Sequence, residues 1–174
     1  MCEVQTSLRA YFLLIILLCL NILNMLDRTL VIAFGPQIVE DLQLSDTQFG
    51  LLTGFVFNTF YCFFGLIMGT LADRVNRTRL IALGLLLWSG LTAVSGAAKN
   101  FYHIGMARLF VGIGESVMTP SAMSMMADVF EAEKRGLAAS IYYLGLPFGA
   151  GAAFFIAGFL GPVIGWRNCF YLLG

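Results

Sequence analysis

The stretch Gly69-Thr70-Leu71-Ala72-Asp73-Arg74-Val75-Asn76-Arg77-Thr78-Arg79-Leu80 is the densest group of charges in a very apolar chain. On either side of it, residues 49–68 and 80–98 contain no charged side chain. About 20 apolar residues are enough for a helix to cross the hydrocarbon core of a bilayer. The stretch therefore predicts a short loop between two transmembrane helices, and its three arginines indicate the cytoplasmic side.

The composition agrees with an integral membrane protein. Of the 174 residues, 59% are hydrophobic and 11% are charged, which is outside the range of soluble globular domains. The formal net charge is +0, so no basic field indicates a nucleic-acid partner, and the predicted partner is the lipid bilayer. The chain has no phosphate-binding loop, zinc spacing or nucleophile elbow, so we expect neither an enzyme nor a cofactor nor a metal site.

The apolar runs predict an all-α integral membrane protein with five full transmembrane helices and the start of a sixth. The predicted spans are about 10–34, 47–72, 78–98, 103–129 and 136–160, with the sixth starting near 166. Ser45 and Gln48 form a capping-box pattern directly before the second span. Pro147 predicts a kink inside the fifth span.

The orientation follows from the positions of the basic residues. One side of the membrane would hold six of them, and the other side would hold two. The first set is Arg9, Arg74, Arg77, Arg79, Lys134 and Arg135, and the second is Lys99 and Arg167. Basic residues accumulate in cytoplasmic loops, so we predict a multi-pass protein of the plasma or inner membrane with a cytoplasmic N-terminus.

Four ionisable residues lie inside predicted spans and away from the loop edges: Asp27, Arg28, Arg108 and Glu115. Burying such a group costs several kcal/mol unless it is paired or solvated, so each is a functional candidate. Arg108 and Glu115 are seven positions apart and share a helix face, and the four charges could form two ion pairs. These pairs could be static, or a carboxylate beside a movable arginine could load and release a proton. We interpret Asp27 and Glu115 as candidates for proton coupling.

Uncharged polar residues in the same spans are weaker candidates, because each could equally face a neighbouring helix. Those that could line a substrate cavity are Asn21, Asn24, Asn58, Tyr61 and Tyr142.

Several motifs together resemble the major facilitator superfamily. Residues 69–80 are similar to its signature G-x-L-x-D-R-x-x-R, except that Asn76 stands where a glycine is usual. Residues 108–115 resemble its R-x-x-x-G-x-G element, residues 128–136 its partner motif after helix four, and residues 165–167 the start of its helix six. The resemblance implies a major-facilitator-type bundle of which residues 1–174 are the N-terminal portion, with the C-terminal half missing as a partner.

Within the superfamily, Leu26-Asp27-Arg28 together with Glu115 resemble the spinster-like transporters of lipids and organic solutes, and Trp88-Ser89 agrees. The anion:cation symporters share similar features. The resemblance implies that Asp27, Arg28, Arg108 and Glu115 face a central cavity. It also implies a cytoplasmic gate motif, in which Asp73 is a latch for the second half. The members of that motif are Gly69, Asp73, Arg74, Arg77, Asp128 and Arg135.

The expected function is secondary active transport of a small organic or lipid-like solute by alternating access, coupled to protons. One alternative is an organic anion carrier of the anion:cation symporter type. The other is a membrane scaffold or assembly protein that transports nothing and uses its glycine-rich helix faces for oligomerisation.

Overall fold

The computed structural model describes residues 2–174, with the side chains of residues 8–55 and 57–174. It is a bundle of helices, and the described residues include no β-strand, which confirms the all-α prediction. The helices are α1 (Cys2–Ala33), α2 (Gly35–Asp41), α3 (Asp46–Gly50), α4 (Val56–Ala72), α5 (Arg77–Gly96), α6 (Phe101–Glu115), α7 (Met118–Val129), α8 (Ala132–Tyr143), α9 (Gly145–Phe159) and α10 (Gly161–Leu173).

The second span begins at the predicted cap. The Ser45 hydroxyl accepts a hydrogen bond from the Gln48 backbone N–H at 3.2 Å, and the Gln48 side chain accepts one from the Ser45 N–H at 2.9 Å. The capping box is therefore confirmed. A π-helical turn at Leu51–Phe55 joins α3 to α4 within this span.

The fourth span differs from the sequence-based expectation of one continuous helix over residues 103–129. It starts at Phe101, and a turn at residues 116–117 divides it into α6 and α7. Pro120 gives the physical reason, because its ring lacks an N–H and clashes with the carbonyl of Ser116, four residues earlier. The break leaves Glu115 as the last residue of α6.

Proline also shapes the fifth and sixth spans. Leu144 separates α8 from α9, three residues before Pro147, so the predicted interruption is confirmed. The sixth span starts earlier than residue 166, because α10 begins at Gly161 and takes Pro162 into its first turn, where no N–H is needed. It then bends at Gly165, whose φ is 77°.

Two apolar clusters form the core, and a polar layer lies between them. On α1, Leu17 belongs to one cluster and Leu26 to the other, while Asn21 and Asn24 lie between them. The buried Thr92 of α5 lies between Trp88, on the same helix and in one cluster, and Ala98, just after the end of α5 and in the other cluster. The polar layer therefore crosses several helices at one level of the bundle.

The outer surface suits a lipid environment. Large apolar side chains such as Phe63 and Leu66 are 60% and 76% exposed, which costs little in a bilayer but much in water. Within the described residues, four helical stretches are long and apolar enough to cross a membrane. They are Leu8–Ala33, Asp46–Ala72, Arg77–Gly96 and Ala132–Phe159, and the divided fourth span is not among them.

Candidate functional site

Asp27 and Arg108 form an ion pair inside the bundle. The Asp27 Oδ2 and Arg108 Nη1 atoms are 3.5 Å apart, and the two residues are 6% and 3% exposed. Arg108 Nη2 also donates a hydrogen bond of 3.3 Å to the backbone carbonyl of Arg28. This arrangement joins α1 to α6 and is one of the two ion pairs that the sequence allowed.

The other oxygen of Asp27 is held from a third helix. The hydroxyl of Thr92, on α5, donates a hydrogen bond of 2.6 Å to Asp27 Oδ1. Sequence reasoning missed this residue, because a threonine in an apolar span gives no signal of a partner 65 positions away.

Glu115 is completely buried beside the Asp27 carboxyl group, and no N–H or hydroxyl group among the described residues donates to either of its carboxyl oxygens. The charged groups near enough to interact electrostatically with Glu115 are the carboxylate of Asp27 and the guanidinium groups of Arg108 and Arg28. It forms no ion pair with a described side chain, so the second pair is not formed in this conformation. A charge in such a place costs several kcal/mol, and a bound proton removes that cost.

Arg28 turns away from Asp27 toward α4. Its Nη2 atom donates a 2.5 Å hydrogen bond to Asn58 Oδ1, and its guanidinium carbon is 4.7 Å from the ring centroids of both Phe57 and Tyr61. Arg28 is half-buried and Asn58 is exposed, so this group forms the accessible edge of the polar layer. A guanidinium on aromatic faces keeps free N–H donors for an anionic or polar solute. Phe57 was not a sequence candidate.

The remaining cavity candidates are buried deeper. Asn21 Nδ2 donates a 2.8 Å hydrogen bond to the Tyr142 carbonyl, and Tyr142 is fully buried among the apolar side chains of one core cluster. Asn24 is 6% exposed, and its Nδ2 atom has no described partner. No group of three or more His, Cys, Asp or Glu residues suited to a metal ion occurs in the described part of the chain.

This polar layer lies in a fold that other proteins share. Residues 17–174 match the family described as Major Facilitator Superfamily. The chain belongs to this family. It is 31% identical over 159 residues, or 91% of its length, to an MFS-type efflux pump of Mycolicibacterium smegmatis. It is 31% identical over 141 residues, or 78% of its length, to a sphingosine-1-phosphate transporter of Danio rerio.

Among solved structures, a bacterial homolog of the human lysosomal transporter Spinster, inward-facing and unoccupied, matches with a TM-score of 0.84 and 30% identity. The match covers 94% of this chain, which confirms the resemblance to spinster-like proteins. The chain spans 37% of the efflux pump, 27% of the sphingosine-1-phosphate transporter and 40% of the solved structure.

An arginine of the major facilitator signature loop takes part in a network of charged side chains. Arg77 pairs with Asp128 through Nη1 and donates from Nε to the carbonyl of Ala72 at 3.4 Å. Arg135 donates to the carbonyls of Phe130 and Ala127 at 3.0 and 2.8 Å, which satisfies the end of α7. The loop borders a pocket of about 340 Å³.

The other members of the signature loop take no part in this charge network. Asp73 and Arg74 are exposed, and neither forms an ion pair with a described side chain. Gly69 is half-buried, and a methyl group there would lie 3.9 Å from Pro120. Asn76, which replaces the usual glycine, caps α5, because its side chain accepts a 3.0 Å hydrogen bond from the Arg79 N–H.

Proposed function

We propose that the chain forms half of a secondary active transporter, which moves a small organic or lipid-like solute by alternating access and couples this movement to protons. The observation that carries the proposal is the polar layer around Glu115, Asp27 and Arg108 between two apolar clusters. A fully buried carboxyl group without a cation or a hydroxyl donor is costly in a purely structural bundle, whereas a proton carrier requires a carboxyl group that can gain and lose its proton.

Arg28 and its aromatic neighbours support the solute class. The exposed amide of Asn58 and the rings of Phe57 and Tyr61 present a cation beside apolar surface. Such an edge suits a solute that combines a negative or polar group with an apolar body. The named function of the Danio rerio relative is of this kind.

We also infer that a second six-helix half completes the transporter, either in the same polypeptide or on another. Substrate sites of such folds lie near mid-membrane between two repeat halves. In this proposal, the exposed carboxylate of Asp73 accepts hydrogen bonds from the second half and latches the cytoplasmic side shut. The Arg77–Asp128 pair next to it would move with the latch.

Transport in proteoliposomes tests the proposal. The protein is reconstituted with and without the C-terminal half of the bacterial spinster homolog, and the flux of organic anions and lysolipids is measured with and without a pH gradient. We expect a flux that the gradient stimulates and that Glu115→Gln reduces to the level without a gradient. The exposed residue Glu133 provides the matched control, since Glu133→Gln should change nothing.

Two results would contradict the proposal. Equal gradient dependence in Glu115→Gln would show that Glu115 does not carry the coupled proton. Absence of flux for every solute, with both halves present and folded, would favour the scaffold function instead.

A further inference from the structure

Thr92 belongs to the polar layer, but the proposed transport function gives it no role. It lies on α5, is 1% exposed, and donates its hydroxyl hydrogen to Asp27 Oδ1 at 2.6 Å. Its helix contributes no charge to the layer, because residues 80–98 contain no ionisable side chain. The contact therefore brings one polar hydrogen, and no charge, to a buried carboxylate.

The direction of this hydrogen bond is unusual for a helical hydroxyl. Serine and threonine in helices commonly donate to a carbonyl of their own preceding turn. Ser95, one turn further along α5, does this, since its hydroxyl donates to the Leu91 carbonyl at 2.8 Å. Thr92 instead donates across the helix interface, so its hydroxyl is committed to Asp27.

The two buried carboxyl groups consequently have opposite surroundings. Asp27 accepts a hydrogen bond from Thr92 on one oxygen and faces the Arg108 guanidinium with the other. Glu115 lies beside the Asp27 carboxyl group, but no N–H or hydroxyl group among the described residues donates to its oxygens. Hydrogen bonds and cations beside a carboxyl group favour its charged form, and of these two carboxyl groups only Asp27 has both a described donor and an ion-pair partner.

The ionisable groups around Asp27 are consistent with this division. On α6 they are Arg108 and Glu115, and on α1 itself Arg28 follows Asp27. The helix α9, which packs along α1, has no ionisable residue, and α8 contributes the phenol of Tyr142 to that side. Ionisable groups on the other neighbouring helices are engaged near the ends of the bundle, as Asp128 is by Arg77 and Arg167 is by Asp41.

We propose that Thr92 is a positioning residue of the proton-coupling site: its hydroxyl holds Asp27 as the charged partner of Arg108, so that the coupled proton goes to Glu115. This inference rests on the proposed function. In this proposal, a neutral side chain on a third helix decides which of the two neighbouring carboxyl groups binds the coupled proton. Without the hydroxyl, Asp27 would compete with Glu115 for the same proton, and the two groups would titrate as a coupled pair.

Infrared titration of the purified protein tests the assignment directly. The C=O stretching band of a protonated carboxyl group is followed against pH, and its contributions are assigned with Asp27→Asn and Glu115→Gln. Thr92→Val removes the donor at nearly constant volume, and Thr92→Cys replaces it with a weak one. Thr92→Ser keeps the hydroxyl, and Ser95→Ala removes a buried hydroxyl that bonds only within α5.

In the wild type, Thr92→Ser and Ser95→Ala, we expect the titrating band to belong to Glu115. In Thr92→Val and Thr92→Cys, we expect a second titrating band, from Asp27, that the wild type lacks, because the charged form of Asp27 has lost its hydrogen-bond donor. A merely structural role for Thr92 would lower thermal stability without adding this second band.

An Asp27 titration that is unchanged in Thr92→Val and Thr92→Cys would overturn the inference. So would the same second band in Ser95→Ala, because it would indicate a general effect of loosening α5. If wild-type transport proves independent of the pH gradient, the proposed coupling fails instead, and the infrared result still decides what Thr92 does to Asp27.

Discussion

Asp27 and Arg108 are both almost fully buried, at 6% and 3% exposure, and each makes the charge of the other tolerable. Their separation of 3.5 Å is close enough for an ion pair, although the atoms are not aligned for a hydrogen bond. The cost of removing one member of such a pair differs from the cost of replacing both. Removing one member of a buried pair leaves an uncompensated charge, whereas replacing both with apolar groups is often neutral.

We therefore predict that Arg108→Leu destabilises the protein by about 3–5 kcal/mol, because it leaves the Asp27 carboxylate without its cation. Thermal unfolding in detergent measures the effect. The double variant Asp27→Leu/Arg108→Leu should recover most of the lost stability. Arg79→Leu is the control, since Arg79 is exposed. An Arg108→Leu protein that unfolds at the wild-type temperature would show that the pair contributes nothing to stability.

At the scale of the helices, α1 and α9 make the most extensive pairing in the described part of the chain. Gly149 allows this contact. A methyl group at this position would meet the Ile22 carbonyl oxygen and would lie only 2.8 Å from the Met25 Cβ atom. A small residue at a helix interface lets two backbones approach closely, and the approach here lies within two turns of Asp27 on α1.

Gly149→Ala should cost about 1–3 kcal/mol, because the inserted methyl group must push α9 away from α1. Gly151 lies on the same helix and has nothing within 4 Å of its added methyl group, so Gly151→Ala is the matched control. Thermal unfolding of both variants in the same detergent compares them. Equal stability of the two variants would mean that the close approach at Gly149 can relax without cost.

For the whole molecule, three distant segments are joined at the end of the bundle opposite the signature loop. Arg167 pairs with Asp41 at 2.8 Å and donates to the carbonyls of Gly96 and Ala98 at 3.0 and 2.5 Å. Trp166 Nε1 donates to the same carboxylate at 3.0 Å. The segments that follow the first and third spans are thus tied to the sixth span at this end of the bundle.

The orientation of this body in the membrane gives a further prediction. In a variant without cysteines, Val75→Cys in the signature loop should react with a membrane-impermeant maleimide only after the cells are permeabilised. Gln43→Cys, in the loop after the first span, should react in intact cells. Both side chains are exposed, so access depends on the side of the membrane. The reverse pattern of labelling would place the N-terminus outside.

Much of the local structure followed from the sequence because it depends on neighbouring residues. The capping box at Ser45 and the interruption before Pro147 are examples that the structure confirms. The break before Pro120 was missed although the same rule applies to it, since proline clashes with the carbonyl four residues earlier. The hydrophobic run continues across the break, so it predicted one helix. The position of Glu115 at the end of α6 was therefore not predicted.

By itself, the sequence determined that the chain is an all-α membrane protein, and it predicted which runs span the bilayer and which four charges lie within them, because hydrophobicity and charge are properties of each residue. Only the tertiary structure decided how those charges are paired. The contact of Thr92 with Asp27 depends on the rotation of α5 and α1 about their axes, which the packing of distant segments sets. One residue of rotation, about 100°, would remove it.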